Sequence, residues 1–297
     1  MRGGGAGSAI ATLSGMTTWR YAELLARGLS PNQIRDRVRT GALHRVTRGT
    51  YVSGGQPSFV DRLHAVRQVL PPDTVFGFHT AARLYGFGVV PTGRIHVISP
   101  SGRPVPQISG VVGHQAVLPL LPVEVAGLPC AAPERVIVDL ARICSRIDAL
   151  AVVDAALRAR ASTPSALATE VALHDGLRGV RQAREVVPLG DPRPECRQES
   201  QLRMILLDGG LPAPEPQLWV FDAWDDPQFR LDLGYRRQRV GAEYDGRSHT
   251  DRERMRLDRR RHNWLAEHGW SMRYFTDVDI YRQPAQVVAT MRAALAG

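Results

Sequence analysis

Two short stretches of alternating polarity restrict the fold of the last third of the chain more than any other feature. Residues 230–235 read RLDLGY, residues 239–246 read RVGAEYDG, and only Arg-Arg-Gln lies between them. Such a short connection joins antiparallel neighbours, so the pattern predicts a β-hairpin. Because side chains alternate between the faces of a strand, we expect Leu231 and Leu233 on one face and Asp232 on the other.

The same alternation predicts a carboxylate cluster. If the apolar faces of the two strands coincide, Asp232, Glu243 and Asp245 share the opposite face. Crowded carboxylates repel one another unless a cation lies between them, and Mg²⁺ (or Mn²⁺) takes oxygen ligands and activates bound water. The pattern therefore predicts a metal site with Asp232 and Glu243 as ligands. A polar outer face of an edge hairpin is the alternative, and alternation alone favours it.

Five spaced motifs occur in order around this hairpin. They are ES at 199–200 with GLP at 210–212, then RLDLGY, EYDG, DRRR at 258–261, and GW followed by RYF at 269–275. In this order they resemble the very-short-patch-repair-like endonuclease domains of the PD-(D/E)XK superfamily. The resemblance implies a mixed central sheet flanked by helices and metal-dependent hydrolysis of phosphodiester bonds. It also implies catalytic roles for Glu199, Asp232 and Glu243, which match the acidic positions of the family.

The chain contains no lysine, since all 38 of its Lys and Arg residues are arginines. A phosphate-binding P-loop and lysine Schiff-base chemistry are therefore excluded. The usual lysine position of the superfamily holds Asp245, which leaves the general base open. His249 matches a position where this branch often has a histidine, and the resemblance implies that it assists the attacking water; a surface histidine at a helix start is the alternative. Asp258 matches a recurrent acidic position and either holds His249 or pairs with arginine on its own helix.

Residues 250–267 predict a strongly basic helix. Arginine forks suit phosphate oxygens, so this helix is one candidate for gripping the backbone of DNA beside the carboxylates. The acidic residues among its arginines also fit a solvated run of mixed charge, and both interpretations stay open.

Residues 17–55 are predicted to form a winged helix-turn-helix domain. Thr17 or Thr18 is the expected N-cap of the first helix, and Ser30 with Pro31 begins the second. Two short strands around a Thr-Arg-Gly turn then complete the wing. Such a unit docks its second helix in the major groove of DNA. The predicted DNA contacts are Arg35, Arg37 and Arg39 of that helix and Arg45 and Arg48 of the wing. A solvated helix face is the alternative.

This front part resembles the AbiEi-like antitoxin family, in which a winged helix precedes an α/β domain. The resemblance implies a protein that binds operator DNA and neutralises a nucleotidyltransferase-like toxin. It therefore supplies an alternative function, a non-enzymatic antitoxin or transcriptional repressor with an inactive nuclease-like domain.

The expected organisation is an α/β (α+β) multidomain chain. Its parts are a flexible tail (1–16), the winged helix (17–55), a middle α/β domain (60–187) and a restriction-endonuclease-like domain (194–297), with residues 188–195 as a Pro- and Gly-rich linker. The histidines of the middle domain lack ligand spacing, and we assign them no chemistry: His79, His96 and His114. Folded-looking sequence starts directly after Met16, which suggests translation from that residue.

Composition narrows the partners. The formal net charge is +9 and the isoelectric point is about 10.3, which favours nucleic acid as a partner, with a merely solvated basic surface as the alternative. Three cysteines without CxxC spacing argue against a disulfide framework or a cysteine zinc site and favour the reducing cytoplasm. No apolar run is long enough for a membrane helix. The leading prediction is a DNA-binding, Mg²⁺-dependent endonuclease of repair or defence.

Overall fold

A computed structural model describes residues 16–246 and 252–297, apart from the side chains of residues 252–256 and 258. The tail before Met16 and His249 lie outside this part. The described chain forms two compact units: one runs to Tyr85 and adds Pro91–Ala132, and the other combines Gly86–Val90 with Pro133–Gly297. Helices and mixed sheets alternate, which confirms the predicted α/β fold class. The winged-helix and nuclease-like folds stay predictions. The four-part division stays a prediction.

The first unit begins with two short helices and a small sheet. Its elements are β1 (Thr17–Arg20), α1 (Tyr21–Ala26), α2 (Pro31–Arg39), β2 (His44–Thr47) and β3 (Thr50–Ser53). The strands are antiparallel in the order β1-β3-β2. Both helices pack on this sheet through a small apolar core that contains Leu24, Ile34, Leu43 and Tyr51.

The start of α1 differs from the prediction. Thr17 and Thr18 lie in β1, where they pair with Ser53 and Val52, and Arg20 occupies the N-cap position. The capping prediction was therefore wrong. The physical reason is long-range pairing, since β3 lies more than thirty residues away in sequence and satisfies the backbone of residues that a local pattern assigns to a helix start.

The rest of the first unit is a second, mixed sheet with two helices. The elements are α3 (Phe59–Arg67), β4 (Val75–Phe76), α4 (Phe78–Leu84), β5 (Ile95–Ser99), β6 (Val111–Gln115), β7 (Pro122–Val125) and β8 (Leu128–Ala131). The strand order is β6-β5-β4-β8-β7, with parallel pairing of β5 to β6 and of β4 to β8. All five side chains of β5 are buried, as expected of a central strand covered on both faces.

The second unit combines a helical half and a four-stranded sheet. Its helices are α5 (Pro133–Ile143), α6 (Arg146–Arg158), α7 (Pro164–Leu173), α8 (Val180–Val186), α9 (Arg197–Asp208), α10 (Arg252–Glu267), α11 (Asp277–Arg282) and α12 (Pro284–Ala296), with a 3₁₀ turn at Val187–Leu189. Its strands are β9 (Glu215–Phe221), β10 (Pro227–Tyr235), β11 (Val240–Tyr244) and β12 (Ser271–Phe275). The sheet order is β12-β11-β10-β9, and only the β11–β12 pair is parallel.

The predicted hairpin is present, but its alternation is interrupted. Strands β10 and β11 pair through Leu233 and Ala242. Leu233 packs in the cluster that contains residues of α9, α11 and α12, whereas Leu231 packs in a separate cluster with Leu265 of α10. Gln217, in the neighbouring part of β9, has a φ of 55°. The expectation that Leu231 and Leu233 share one face was therefore wrong, because the backbone of β9 departs from regular strand geometry at Gln217, opposite Asp232.

Helix α9 is held against α6 by charge as well as by packing. The guanidinium of Arg203 donates to both carboxylate oxygens of Asp154, at 2.8 and 2.9 Å, and both side chains are buried. The Asp154 carboxylate also accepts from the backbone N–H of Asp191 at 2.8 Å, and Arg158 donates to the carbonyl of Pro194. The segment 188–195 is thus tied to α6 at two points. Among the described residues, no helix is long and apolar enough to span a bilayer.

Candidate functional site

Local sequence signals place α2 on the surface of the first unit. The Ser30 hydroxyl accepts from the Gln33 N–H at 3.2 Å, and the Gln33 side chain accepts from the Ser30 N–H at 2.8 Å, which together form a capping box. Pro31 occupies the first helical position, where its missing N–H costs nothing. Ile34 is the buried anchor of the helix, so the other faces of α2 remain available to a partner.

All five arginines predicted to contact DNA are exposed. At about 100° per residue, Arg35 and Arg39 lie on one side of the buried stripe of α2 and Arg37 on the other. Arg39 forms an ion pair with Asp36 at 3.3 Å, but both side chains are largely exposed, so the pair is weak and open to exchange with a phosphate. Arg45 lies in β2 and Arg48 in the turn that follows it. The structure therefore presents the predicted arginines to solvent, but not on one helix face.

Glu199 of α9 is buried and fully engaged by hydrogen bonds. Its carboxylate accepts from the backbone N–H groups of Glu195 at 2.8 Å and Cys196 at 3.2 Å. It also accepts from the Gln217 side chain at 2.7 Å. These contacts cap its own helix, in which Cys196 is the N-cap. Glu199 thus has a structural task that the sequence motif did not reveal.

Asp232 lies near Glu199 and is hard to ionise. Burial, followed by the negative charge of Glu199, raises the pKa of the Asp232 carboxyl from 3.8 to about 6. The Tyr244 N–H, which donates to Asp232 at 3.0 Å, and the charge of Arg261 act in the opposite direction. A carboxyl with a pKa near neutrality is suited to exchange a proton at physiological pH.

Glu243 of β11 carries its own cation. Arg261 of α10 donates to both oxygens of the Glu243 carboxylate, in one case at 3.1 Å, and also to the Arg230 carbonyl at 2.9 Å. Glu243 is 7% exposed, so the pair is shielded from solvent. The basic run of α10 contained Arg261, but nothing in the sequence singled it out as the partner of Glu243.

Two predicted site residues remain, Asp245 and His249. Asp245 follows the end of β11 and is exposed, and His249 lies outside the described residues. Among the side chains that the structure describes, no group of three or more His, Cys, Asp or Glu residues is arranged to hold a metal ion. In the described structure the Glu243 carboxylate faces the Arg261 guanidinium. Metal ligation by Asp232 and Glu243 stays a prediction.

The first unit contains a histidine cluster that sequence spacing missed. His96 Nδ1 and His114 Nε2 lie 3.0 Å apart, and the ring of His79 packs edge-on against His96. Burial, and then the charge of His79, lowers the pKa of His96 to about 4. Phe78 stacks on His114 with 3.8 Å between ring centroids. The residues come from three elements, so only the sheet topology reveals that they meet.

Comparisons with known proteins support the predicted resemblance of the front part of the chain to AbiEi antitoxins. Residues 20–54 match the family model described as "Transcriptional regulator, AbiEi antitoxin", and residues 74–189 match "AbiEi antitoxin C-terminal domain". Uncharacterized proteins MT2308 and Rv2248, from two strains of Mycobacterium tuberculosis, are each 34% identical over 275 residues, which cover 91% of this chain and 100% of each relative. The crystal structure of the RV2827C protein from M. tuberculosis matches 62% of this chain and 74% of its own, with a TM-score of 0.42 and 20% identity.

Proposed function

Because the chain belongs to one family with the uncharacterized protein Rv2248 of M. tuberculosis and carries both AbiEi antitoxin domains, we propose that it is a DNA-binding antitoxin that acts as a transcriptional repressor. The observation that carries this proposal is the match of residues 20–54 to a transcriptional regulator, together with the exposed arginines of α2 and β2. It is the alternative function that the resemblance of the front part predicts.

In the proposed mode of binding, residues 17–55 act as a winged helix-turn-helix. Helix α2 enters the major groove, and Arg35, Arg37 and Arg39 donate to phosphates or base edges. Arg45 and Arg48 of the β2–β3 hairpin donate to the flanking backbone. The arginines on both sides of the buried stripe suit this arrangement, because the two walls of a groove flank an inserted helix.

The test is binding of the purified chain to a labelled duplex from upstream of its own gene, measured by fluorescence anisotropy. The double variant Arg35→Ala/Arg39→Ala is expected to weaken binding about 10-fold or more. Arg62→Ala, which removes an exposed arginine of α3, is the matched control and should bind like the wild type. Equal affinity of the double variant and the wild type would contradict the assignment of α2.

We propose a nucleotidyltransferase-like toxin as the protein partner. The AbiEi domains suggest toxin or DNA partners, and a nucleotidyltransferase is the specific class of toxin that we propose. If a nucleotidyltransferase-like gene lies beside the gene for this chain, expression of its product alone should arrest growth. Coexpression of this chain should then relieve the arrest. Continued arrest, with both proteins present at similar levels, would count against this partner.

A second candidate function is an endonuclease, with Glu199, Asp232, Glu243, Asp245 and His249 as its site. The observation that favours it is the raised pKa of Asp232 beside Glu199, since shifted carboxyls concentrate at functional sites. The test is incubation of duplex and single-stranded DNA with Mg²⁺ or Mn²⁺, and Asp232→Asn should abolish any cleavage. Cleavage that persists in the Asp232→Asn variant would contradict the assignment of Asp232 to a nuclease site.

A further inference from the structure

Strand β9 presents large aromatic side chains to solvent. It is an edge strand, and its side chains alternate in burial. Leu218 and Val220 are buried in the cluster that includes Leu265 of α10. Trp219 and Phe221, which alternate with them, are 44% and 40% exposed. The core does not need these two rings, and exposed rings on neighbouring positions of one face are typical of a binding surface.

Arginines surround these rings. Together with Trp219 and Phe221, the side chains of Arg193, Arg230 and Arg236 line a groove of about 460 Å³. Arg230 is the direct cross-strand neighbour of Trp219, and its guanidinium carbon lies 5.9 Å from the centroid of the Trp219 ring. Of the residues that line the groove, three are cationic and one, Glu215, is anionic, so the lining favours an anionic occupant.

Each of these arginines has an acidic partner, and one of the partners, Glu215, itself lines the groove. Arg193 pairs with Asp191 at 2.7 Å, Arg230 with Glu195 at 2.7 Å, and Arg236 with Glu215 at 3.5 Å. The three arginine side chains are 40% to 53% exposed in these pairs, and Glu195 and Glu215 are exposed to a similar degree, whereas Asp191 is 17% exposed. The exposed pairs of Arg230 and Arg236 contribute little free energy, so a phosphate can replace or share the carboxylate there. Arg193 keeps Asp191 and adds its charge to the lining.

We propose that this groove binds single-stranded nucleic acid, with bases stacked on Trp219 and Phe221 and phosphates held by Arg230, Arg236 and Arg193. Stacking on a side chain requires a base with a free face, which a single strand offers and a duplex does not. Arginine supplies the phosphate contacts that such grooves combine with aromatic platforms. The site is separate from the proposed duplex contacts of α2, and it does not rest on the repressor function.

The test measures anisotropy of a fluorescein-labelled oligothymidine of about 16 nucleotides, near the upper end of known site sizes, with the full-length protein. Trp219→Ala is expected to weaken binding about 10-fold or more, and Trp219→Phe should restore most of the loss because it retains a ring that can stack. Arg230→Gln should weaken binding and reduce its salt dependence.

Two controls locate the contact. Trp224 is 83% exposed in the turn between β9 and β10 and does not line the groove, so Trp224→Ala should bind like the wild type. Arg35→Ala/Arg39→Ala should lose affinity for the duplex but not for oligothymidine, and Trp219→Ala should behave in the opposite way.

Three results would overturn the proposal. The first is no binding of oligothymidine at low salt. The second is unchanged binding by Trp219→Ala and Arg230→Gln, which would show that oligothymidine does not bind in the groove. The third is an equal loss in Trp224→Ala, which would place the contact outside the groove.

Discussion

The carboxyl of Asp232 shows how one residue can carry an energetic cost within a stable sheet. Its pKa is raised to about 6, first by burial and then by the charge of Glu199, so its ionised form is disfavoured in the folded chain. The Tyr244 N–H offsets only part of this effect. Carboxyl groups with strongly shifted pKa values occur often at functional sites.

This cost predicts a pH-dependent gain in stability for Asp232→Asn. The folded protein holds the proton of Asp232 up to about pH 6, whereas the unfolded chain releases it near pH 3.8, so stability is lost as pH rises through this window. Asparagine keeps an acceptor for the Tyr244 N–H but has no charge. The variant should therefore gain up to about 3 kcal/mol near pH 7 and little near pH 4.

Urea unfolding at both pH values measures this difference. Asp245→Asn is the control, because it removes the charge of an exposed carboxylate on the same part of the chain. A gain for Asp232→Asn that is equal at both pH values would contradict the cause given for the shift.

At the scale of elements, the structure separates local from long-range determinants. Helix α2 could be predicted because Ser30, Pro31 and Gln33 are local signals whose effect needs no tertiary partner. Strand β1 could not, since Thr17–Arg20 becomes a strand only by pairing with β3. The β10–β11 hairpin was predictable from its short turn, but the irregularity near Asp232 and the φ of Gln217 were not.

The site divides in the same way. Motif order, which needs only the chain itself, singled out the acidic residues of the candidate site, and their catalytic role stays a prediction. It did not single out their partners: Arg261 reaches Glu243 from α10, and Gln217 reaches Glu199 from β9. A sequence gives the residue types of such contacts but not the packing angle of the helix that supplies them.

Removing the cap of α2 should loosen that helix and weaken duplex binding together. Ser30→Ala leaves the Gln33 N–H without its side-chain acceptor and is expected to cost about 1 kcal/mol of stability. Ser30→Asp keeps an acceptor at the N-cap and should remain close to the wild type. Thermal unfolding followed by circular dichroism measures the effect, and equal loss in both variants would show that the hydroxyl does not act as a cap.

At the scale of the whole molecule, the chain is organised around two compact units whose limits follow packing rather than composition. The Pro- and Gly-rich stretch 188–195 was predicted as a linker, but the structure ties it to α6 through Asp154 and Arg158. Gly190 packs so closely that a Cβ there would lie 2.6 Å from Val153. Composition describes how a free segment behaves, and these contacts remove that freedom.

Limited proteolysis should detect this restraint. Glu195 lies at the end of the stretch, next to the N-cap of α9, and a glutamyl endopeptidase should cleave the Glu195–Cys196 bond slowly in the folded protein. The same bond should be cut readily in urea, which serves as the control. Rapid cleavage of the folded chain at this bond, with the rest intact, would support a flexible linker instead.

The buried pair of Arg203 and Asp154 also has an evolutionary consequence. Losing either partner leaves an uncompensated charge inside the second unit, which costs several kcal/mol, so a single substitution at either position is a step that selection tends to remove. Positions 154 and 203 are therefore expected to change together in homologous sequences. Such covariation would show that the α6–α9 contact is kept in the family.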